Sequence, residues 1–386
     1  MKFIINTTNL QSGGALQVAS SLLNEWNKHC AQHEFHVCLS PQMDNICKDS
    51  KFNEHIHFYS FNQHSSKGLI HLLRKRQQLH QIESRIQADA VLTVFGPGIW
   101  KSKAPQLAGF ANGYYLFDDS DYIKAKLASD VWKKIYYYGR RWLLLQQLKK
   151  EAQYFWVETQ KAQKRLSAAI NVPSSKIQVI GNCASINTST TSSQKSNSNK
   201  PFRLLYLSAY YEHKNFKLIP KVIAVLQQRG IDCQFCLSLP DADFNRIFGR
   251  NNYEQYVQNL GPIGASAISA AYANADAVFM PSLLETFSAN YPEAMHMNKP
   301  LLCSDLDFAR AICGNAAIYF NPFDATDAAD TICKLMQDKA LQTKLIAAGQ
   351  QLVSQMETPR SRAEKLVQQL INIATSPVKT NTSCVA

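Results

Sequence analysis

The chain has 386 residues, a formal net charge of +12, 46% hydrophobic residues and 10% aromatic ones. That length suits two domains of ordinary size, and the composition excludes a disordered chain. The basic balance favours anionic partners (phosphate-bearing ligands, nucleic acid or an acidic membrane surface) and by itself selects none of them.

The chain opens with KFIINTTN, an apolar run expected to be a strand and not a signal peptide. A glycine turn at Gly13 and Gly14 leads into GALQVASSLLNEWNKH, with helical spacing at Leu16, Ala19, Leu22, Leu23 and Trp26. EFHVCLS and IHFYSF read as strands, LIHLLRKRQQLHQIESRIQ as a helix, and DAVLTVFGP and QLAGFANG as further strands. A basic-aromatic segment over about 122–150 reads as one long helical stretch, and YFWVETQ and IQVIGN close this half. After a polar gap the alternation restarts with FRLLYLS, CQFCLSL, YVQNLG, DAVFMP, PLLCSD and AAIYFNP as short buried strands. Helical segments such as FKLIPKVIAVLQQRG, ISAAYANA, PEAMHMN and ATDAADTICKLMQD lie between them. Apolar strands separated by helices imply parallel sheets covered on both faces. The expected fold class is therefore α/β, two doubly wound Rossmann-like domains.

The expected boundaries are 1–185 for the first domain, 186–201 for a Ser/Thr/Asn-rich linker and 202–360 for the second domain. An amphipathic helix over 361–375, free to pack on either domain, and a frayed tail over 376–386 follow. The cysteines are scattered. Their closest pair, Cys233 and Cys236, has no matching second pair, so core thiols are expected and no metal. No apolar run of ~20 residues is long enough to span a bilayer. A reducing, cytoplasmic location is expected, with the Asn-x-Ser/Thr matches at Asn6, Asn187 and Asn381 due to chance.

One stretch carries more chemistry than a connection needs: LLETFSANYPEAMHMNKPLLCSD, residues 283–305. Glu285 lies just past a strand's carboxyl end, where doubly wound sheets bind ligands. Pro292 suits a helix's first turn, and Tyr291 before it is biased to an extended shape. Glu293 then sits just inside a helix N-terminus, where the dipole favours an anion. Carboxylates accept hydrogen bonds and sugar diols donate them, so the pair suits a ligand with two diols. The plainer reading has Glu293 answering the helix dipole and Glu285 solvated.

The stretch PSLLETFSANYPEAMHMNKPLLCSD resembles the E-x7-E signature of the family 4 retaining glycosyltransferases of GT-B fold. NLGPIGASAISAAYANADAVFMPS and LYLSAYYEHKNFKLIPKVI are similar to two further stretches of that family, and the resemblance covers nearly the whole second half. It implies a GT-B fold, two Rossmann-like domains facing across a cleft. It implies transfer of a sugar from a nucleotide diphosphate sugar, with retention, to a glycan or lipid-linked acceptor. The product expected by analogy is a surface polysaccharide such as O antigen, capsule or lipopolysaccharide. Glu285 is implied to contact the sugar with the Phe287 and Ser288 amides, Glu293 to hold the ribose, and Lys214 to neutralise the diphosphate. No metal and no cofactor beyond the donor substrate is implied.

The sequence departs from the family at Tyr210, where an arginine is common, and at Ser288, where a glycine is common. Gly261 to Gly264 are placed near the base, and Gly13 and Gly14 resemble the family's glycine loop, with a plain tight turn as the competing reading. Asn112 stands near the end of a strand where many relatives carry a histidine. It reads as a sugar or acceptor contact, or equally as a structural asparagine in a left-handed turn. Lys124, Lys126, Lys133, Lys134, Arg140 and Arg141 mixed with Trp132 and Trp142 suit docking of 122–150 on an anionic membrane, on the inner face of the cytoplasmic membrane. A solvated basic face over an aromatic core stripe competes with that reading. No nucleic-acid motif is present. The rival functions are a non-catalytic carbohydrate-binding protein of the same fold and a nucleotide-sugar epimerase. A requirement for a separate acceptor separates them from a transferase.

Overall fold

The computed structural model describes residues 1–11, 13–48, 50–61, 68–184, 200–249, 253 and 255–376. The chain runs β1 (Lys2–Asn6), α1 (Gly14–His29), β2 (Glu34–Leu39), α2 (Pro41–Lys48), β3 (Ile56–Ser60), α3 (Leu69–Ile86), β4 (Ala90–Thr93) and β5 (Gln106–Gly109). Next come α4 (Gly113–Leu116), α5 (Asp121–Leu127), α6 (Val131–Glu151), β6 (Tyr154–Val157), α7 (Gln160–Ile170) and β7 (Ile177–Val179). The second half holds β8 (Phe202–Tyr206), α8 (Leu218–Gln228), β9 (Cys233–Leu237), α9 (Asp241–Phe248), β10 (Val257–Asn259), α10 (Ala265–Ala273) and β11 (Ala277–Met280). It closes with α11 (Asn290–His296), β12 (Leu301–Ser304), α12 (Asp307–Cys313), β13 (Ala317–Phe320), α13 (Ala325–Gln337), α14 (Lys339–Val353) and α15 (Pro359–Thr375).

Two compact units result, one of Met1–Asn112, Asp130–Gly181 and Pro359–Ala386, the other of Gly113–Ser129 and Asn182–Thr358. The first holds a parallel sheet ordered β3-β2-β1-β4-β5-β6-β7, with Phe3 paired to Phe35 on one side and to Ala90 on the other. The second holds a parallel sheet ordered β10-β9-β8-β11-β12-β13, with Leu204 between Phe235 and Ala277. In both, the chain starts in the middle, winds outward, then returns to the other side of the first strand. The topological switch points therefore lie between β1 and β4 and between β8 and β11.

The strands pack as continuous apolar runs because helices cover both faces. In the second unit Leu204, Phe235, Val278, Phe279 and Leu302 are buried against Ile219, Val222 and Ile332 of α8 and α13. In the first unit, α15 closes one face of the sheet. Its Leu366 and Leu370 join the core around Trp26, whose indole N–H donates to the Ala363 carbonyl at 3.0 Å. The helix expected over 361–375, left free to pack on either domain, thus belongs to the first unit.

The compact units differ from the expected domain 1–185 at its end, where the second unit begins at Asn182, and at one internal segment. Gly113–Ser129 belongs to the second unit, anchored by an ion pair between Lys126 and Glu212. The segment read as one helix over 122–150 is accordingly two. Ser120 and Asp130 each cap a helix through their side chains, on the Ile123 and Lys133 amides, and the break between α5 and α6 falls at 128–130. The stretch expected as a linker lies outside the described residues except for 200 and 201, and the tail lies outside them beyond 376. The described cysteines are free thiols, most of them buried; burial pushes the Cys236 thiol up to about 11.

Candidate active site

β8 and β11 are neighbours at the second unit's switch point, so the loops leaving their carboxyl ends emerge side by side. After β8 the chain makes a short 3-10 turn, Glu212–Lys214, and Asn215 takes a left-handed conformation with φ 56°. Asparagine tolerates that conformation, and here its side-chain amide also donates to the Pro322 carbonyl at 2.9 Å. After β11, residues 281–289 form the loop that carries Glu285. Two ties hold the loops together. The Leu283 amide donates to the His213 carbonyl at 2.7 Å. The Tyr206 hydroxyl, fully buried at the end of β8, donates to the Lys214 carbonyl at 3.0 Å and lies 3.0 Å from the Ser282 hydroxyl. Burial raises the Tyr206 phenol well above its ordinary range, so it stays a donor.

This framework places the Lys214 ammonium 2.6 Å from a Glu285 carboxylate oxygen, with side-chain exposures of 14% and 7%. The pair is nearly sealed from water, and Lys214 keeps the larger exposed share. His213 beside it is held below the usual histidine range by burial, partly offset by the Glu285 charge, and is neutral at pH 7. The Glu285 loop runs on through buried Thr286, half-buried Phe287 and buried Ser288. Gly113 of α4 lies against it: a Cβ there would meet the Thr286 amide and the Leu284 side chain in ordinary van der Waals contact.

Glu293 lies in the first turn of α11 and is buried, accepting from the Tyr272 hydroxyl at 3.1 Å. The helix starts at Asn290, two residues earlier than Pro292 suggested, and Tyr291 is helical rather than extended. Proline lacks only an N–H that the first turn leaves unpaired, so the turn tolerates it. The Asn290 side chain fixes the helix start by donating to the Leu207 carbonyl at 2.6 Å.

Tyr210 is half-buried, its ring stacked near Phe216, and the Arg246 guanidinium of α9 sits over it at 4.0 Å. Arg246 also pairs with Asp243 at 2.7 Å. Gly261 (φ 66°) and Gly264, the residue before α10, follow the edge strand β10. Gly13 (φ 71°), Gly14 and Asn112 belong to the first unit, and Gly13 needs glycine because its φ is positive. Asn112 is exposed and is not among the residues with positive φ, so the left-handed turn offered as its structural alternative does not apply.

Of the residues singled out in the sequence, Lys214 and Glu285 are in direct contact, with Phe287 and Ser288 on the same loop. Tyr206, Ser282, His213, Tyr272 and Arg246 were not foreseen. Tyr206 ends β8 and Ser282 follows the end of the neighbouring β11, their hydroxyls 3.0 Å apart, a signal readable only once the strand order is known.

The two parallel sheets with their switch points are those of the GT-B fold. Residues 188–352 match the family described as glycosyl transferases group 1. No curated protein sequence matches the chain. Among solved structures it is similar to HepE of Anabaena in complex with UDP and glucose, with TM-score 0.70 and 14% identity over 96% of this chain and 99% of that one. Sucrose-phosphate synthase of Thermosynechococcus elongatus gives TM-score 0.72 and 14% identity over 96% of this chain and 98% of that one. The lipopolysaccharide outer core galactosyltransferase WaaB, in its apo form, gives 0.59 and 13% over 96% and 99%.

Proposed function

We propose that the chain is a nucleotide-sugar-dependent glycosyltransferase that retains the anomeric configuration. The observation that carries this reading is the Lys214–Glu285 pair at the switch point of a unit matching group 1 glycosyl transferases. A diphosphate entering beside Lys214 shares its ammonium with Glu285. As the bond between sugar and phosphate breaks, negative charge grows on the departing diphosphate, and a cation already fixed in place stabilises it without reorganisation. Glu285, relieved of part of its pairing, accepts from sugar hydroxyls, while Glu293 accepts from the ribose. Arg246 over Tyr210 supplies a second cation where relatives keep an arginine in the Tyr210 position. HepE binds UDP and glucose, which makes a UDP-sugar the first donor to test. The donor is the only small molecule the reading needs, with no metal or further cofactor.

The acceptor in this reading is a glycan or lipid-linked glycan of a surface polysaccharide, and the protein works peripherally at an anionic membrane. The support for membrane docking is α6. It exposes 79% of Trp132 and 61% of Trp142, with Val131, Ile135, Tyr136 and Leu143 also exposed among Lys133, Lys134, Lys149 and Lys150. Aromatic and basic residues together suit a headgroup layer. No described helix is long and apolar enough to cross a membrane. Within the 122–150 stretch of that expectation, Lys126 is engaged with Glu212 in the second unit, and the exposed aromatic residues are those of α6.

Thermal stabilisation by nucleotide diphosphates tests the donor site, since a ligand of the native state raises apparent stability. UDP or GDP raises the Tm of the wild type and not of Glu293→Ala. Absence of any shift with either nucleotide refutes the reading. Sugar release that proceeds only with a glycan acceptor separates a transferase from an epimerase.

A further inference from the structure

A second cluster lies in the first unit, on β2 and β3. Parallel register pairs His36 directly with His57, so both imidazoles stand on one face of the sheet. Glu34, two residues before His36 on the same strand, shares that face. The His36 and His57 rings stack with centroids 4.7 Å apart, and the His36 Nε2 lies 3.6 Å from a Glu34 carboxylate oxygen. One ligand atom from each of the three residues falls within 4.8 Å of the others.

His36 has the character of a ligand rather than of a satisfied core histidine. Its side chain is 9% exposed, and its Nδ1 is 3.1 Å from the Tyr59 hydroxyl. Its Nε2 is buried without a hydrogen-bond partner, the carboxylate being beyond hydrogen-bonding range. A buried imidazole nitrogen left unpaired is costly, and a native structure normally satisfies it with a partner, a water or an ion. Tyr59 supplies the outer partner that ligating histidines usually have, and the Arg85 guanidinium covers the tyrosine ring at 5.6 Å. His57 and Glu34 are open to solvent, which leaves an entry path and positions for water.

We propose that Glu34, His36 and His57 bind one divalent first-row transition-metal ion of the zinc class, independently of the glycosyl-transfer site. Two imidazoles and a carboxylate with remaining water positions are a donor set zinc accepts, at bond lengths of about 2.0–2.2 Å. The three side chains close in by rotation to reach them. Lys2, 3.7 Å from Glu34, competes for the carboxylate and turns away on binding. The sequence pointed to no metal because cysteine spacing was the guide, whereas this donor set is assembled by strand register.

The test uses the purified full chain stripped of metal. Cobalt(II) is titrated with visible absorption as readout, and zinc in competition with a chromophoric chelator. The expected result is one equivalent bound, with d–d absorption and no thiolate charge-transfer band. His57→Ala, a change at an exposed position of the edge strand, lowers affinity at least ~100-fold with unchanged circular dichroism. Tyr59→Phe lowers it about 10–100-fold, as loss of an outer-shell partner does. No binding, a thiolate band, or wild-type affinity in His57→Ala and His36→Gln overturns the proposal.

Discussion

Lys214 and Glu285, from loops after two neighbouring strands, form a nearly buried ion pair at 2.6 Å. Removing one member of a buried pair strands the other charge and typically costs about 3–5 kcal/mol. Glu285→Ala is therefore expected to lower the Tm as well as remove transfer, rather than leave the fold untouched as a solvated carboxylate would. Glu285→Gln keeps an acceptor and destabilises less, while still lowering turnover at least ~100-fold, and Lys214→Ala does the same for turnover. Thermal unfolding beside single-turnover rates checks both. Wild-type rates in either variant exclude the assigned roles.

Arg246 over Tyr210 makes a second prediction. If the guanidinium serves the diphosphate, Arg246→Ala weakens UDP binding several-fold, and Arg246→Lys recovers less than half of that loss because the planar stack is gone. Isothermal titration with UDP and with uridine separates the phosphate contribution from the base. Equal losses for both ligands mean that Arg246 acts only through the Tyr210 packing.

Membrane docking can be read on vesicles. Replacing Trp132 and Trp142 by Ser, with Lys133 and Lys134 by Gln, is expected to release the chain from phosphatidylserine-containing vesicles. Each basic residue near the surface contributes about 1 kcal/mol. Raised salt acts in the same direction on the wild type. Sedimentation unchanged by the four substitutions removes α6 as the docking surface.

The fourth prediction concerns pH. Glu151 at the end of α6 is buried, and burial raises its carboxyl to about 7, although the Gly98 amide at 2.6 Å and the Gln147 amide at 2.8 Å favour the charge. A carboxyl raised in the folded state stabilises the fold most below its unfolded pKa near 4.5, and that contribution is lost as pH climbs toward 7. Glu151→Gln keeps an acceptor for Gly98 and does not ionise. Its Tm relative to wild type should therefore rise by a few °C between pH 4.5 and pH 7, at about 2–4 °C per kcal/mol. A pH-independent difference means that Glu151 ionises freely in the fold.

The sequence by itself determined the strands, because parallel strands buried on both faces must be continuous apolar runs, as in FRLLY and AVFM. It also determined that Glu285 follows a strand end and that Glu293 enters a helix in its first turn, since proline and the apolar run mark those points locally. It missed the short helices α2, α4, α9 and α12, each too brief to show a full apolar period, passed over α7 between YFWVETQ and IQVIGN, and joined α5 to α6 across the Asp130 cap. Only the tertiary structure decided which residues meet. Strand order put the Lys214 turn beside the Glu285 loop and Tyr206 beneath both, and strand register set His57 against His36. It also sent α15 back to the first unit and Gly113–Ser129 to the second. Such pairings join residues tens to hundreds of positions apart. They are fixed by which apolar faces can be buried together, and no local spacing in a single chain records that choice.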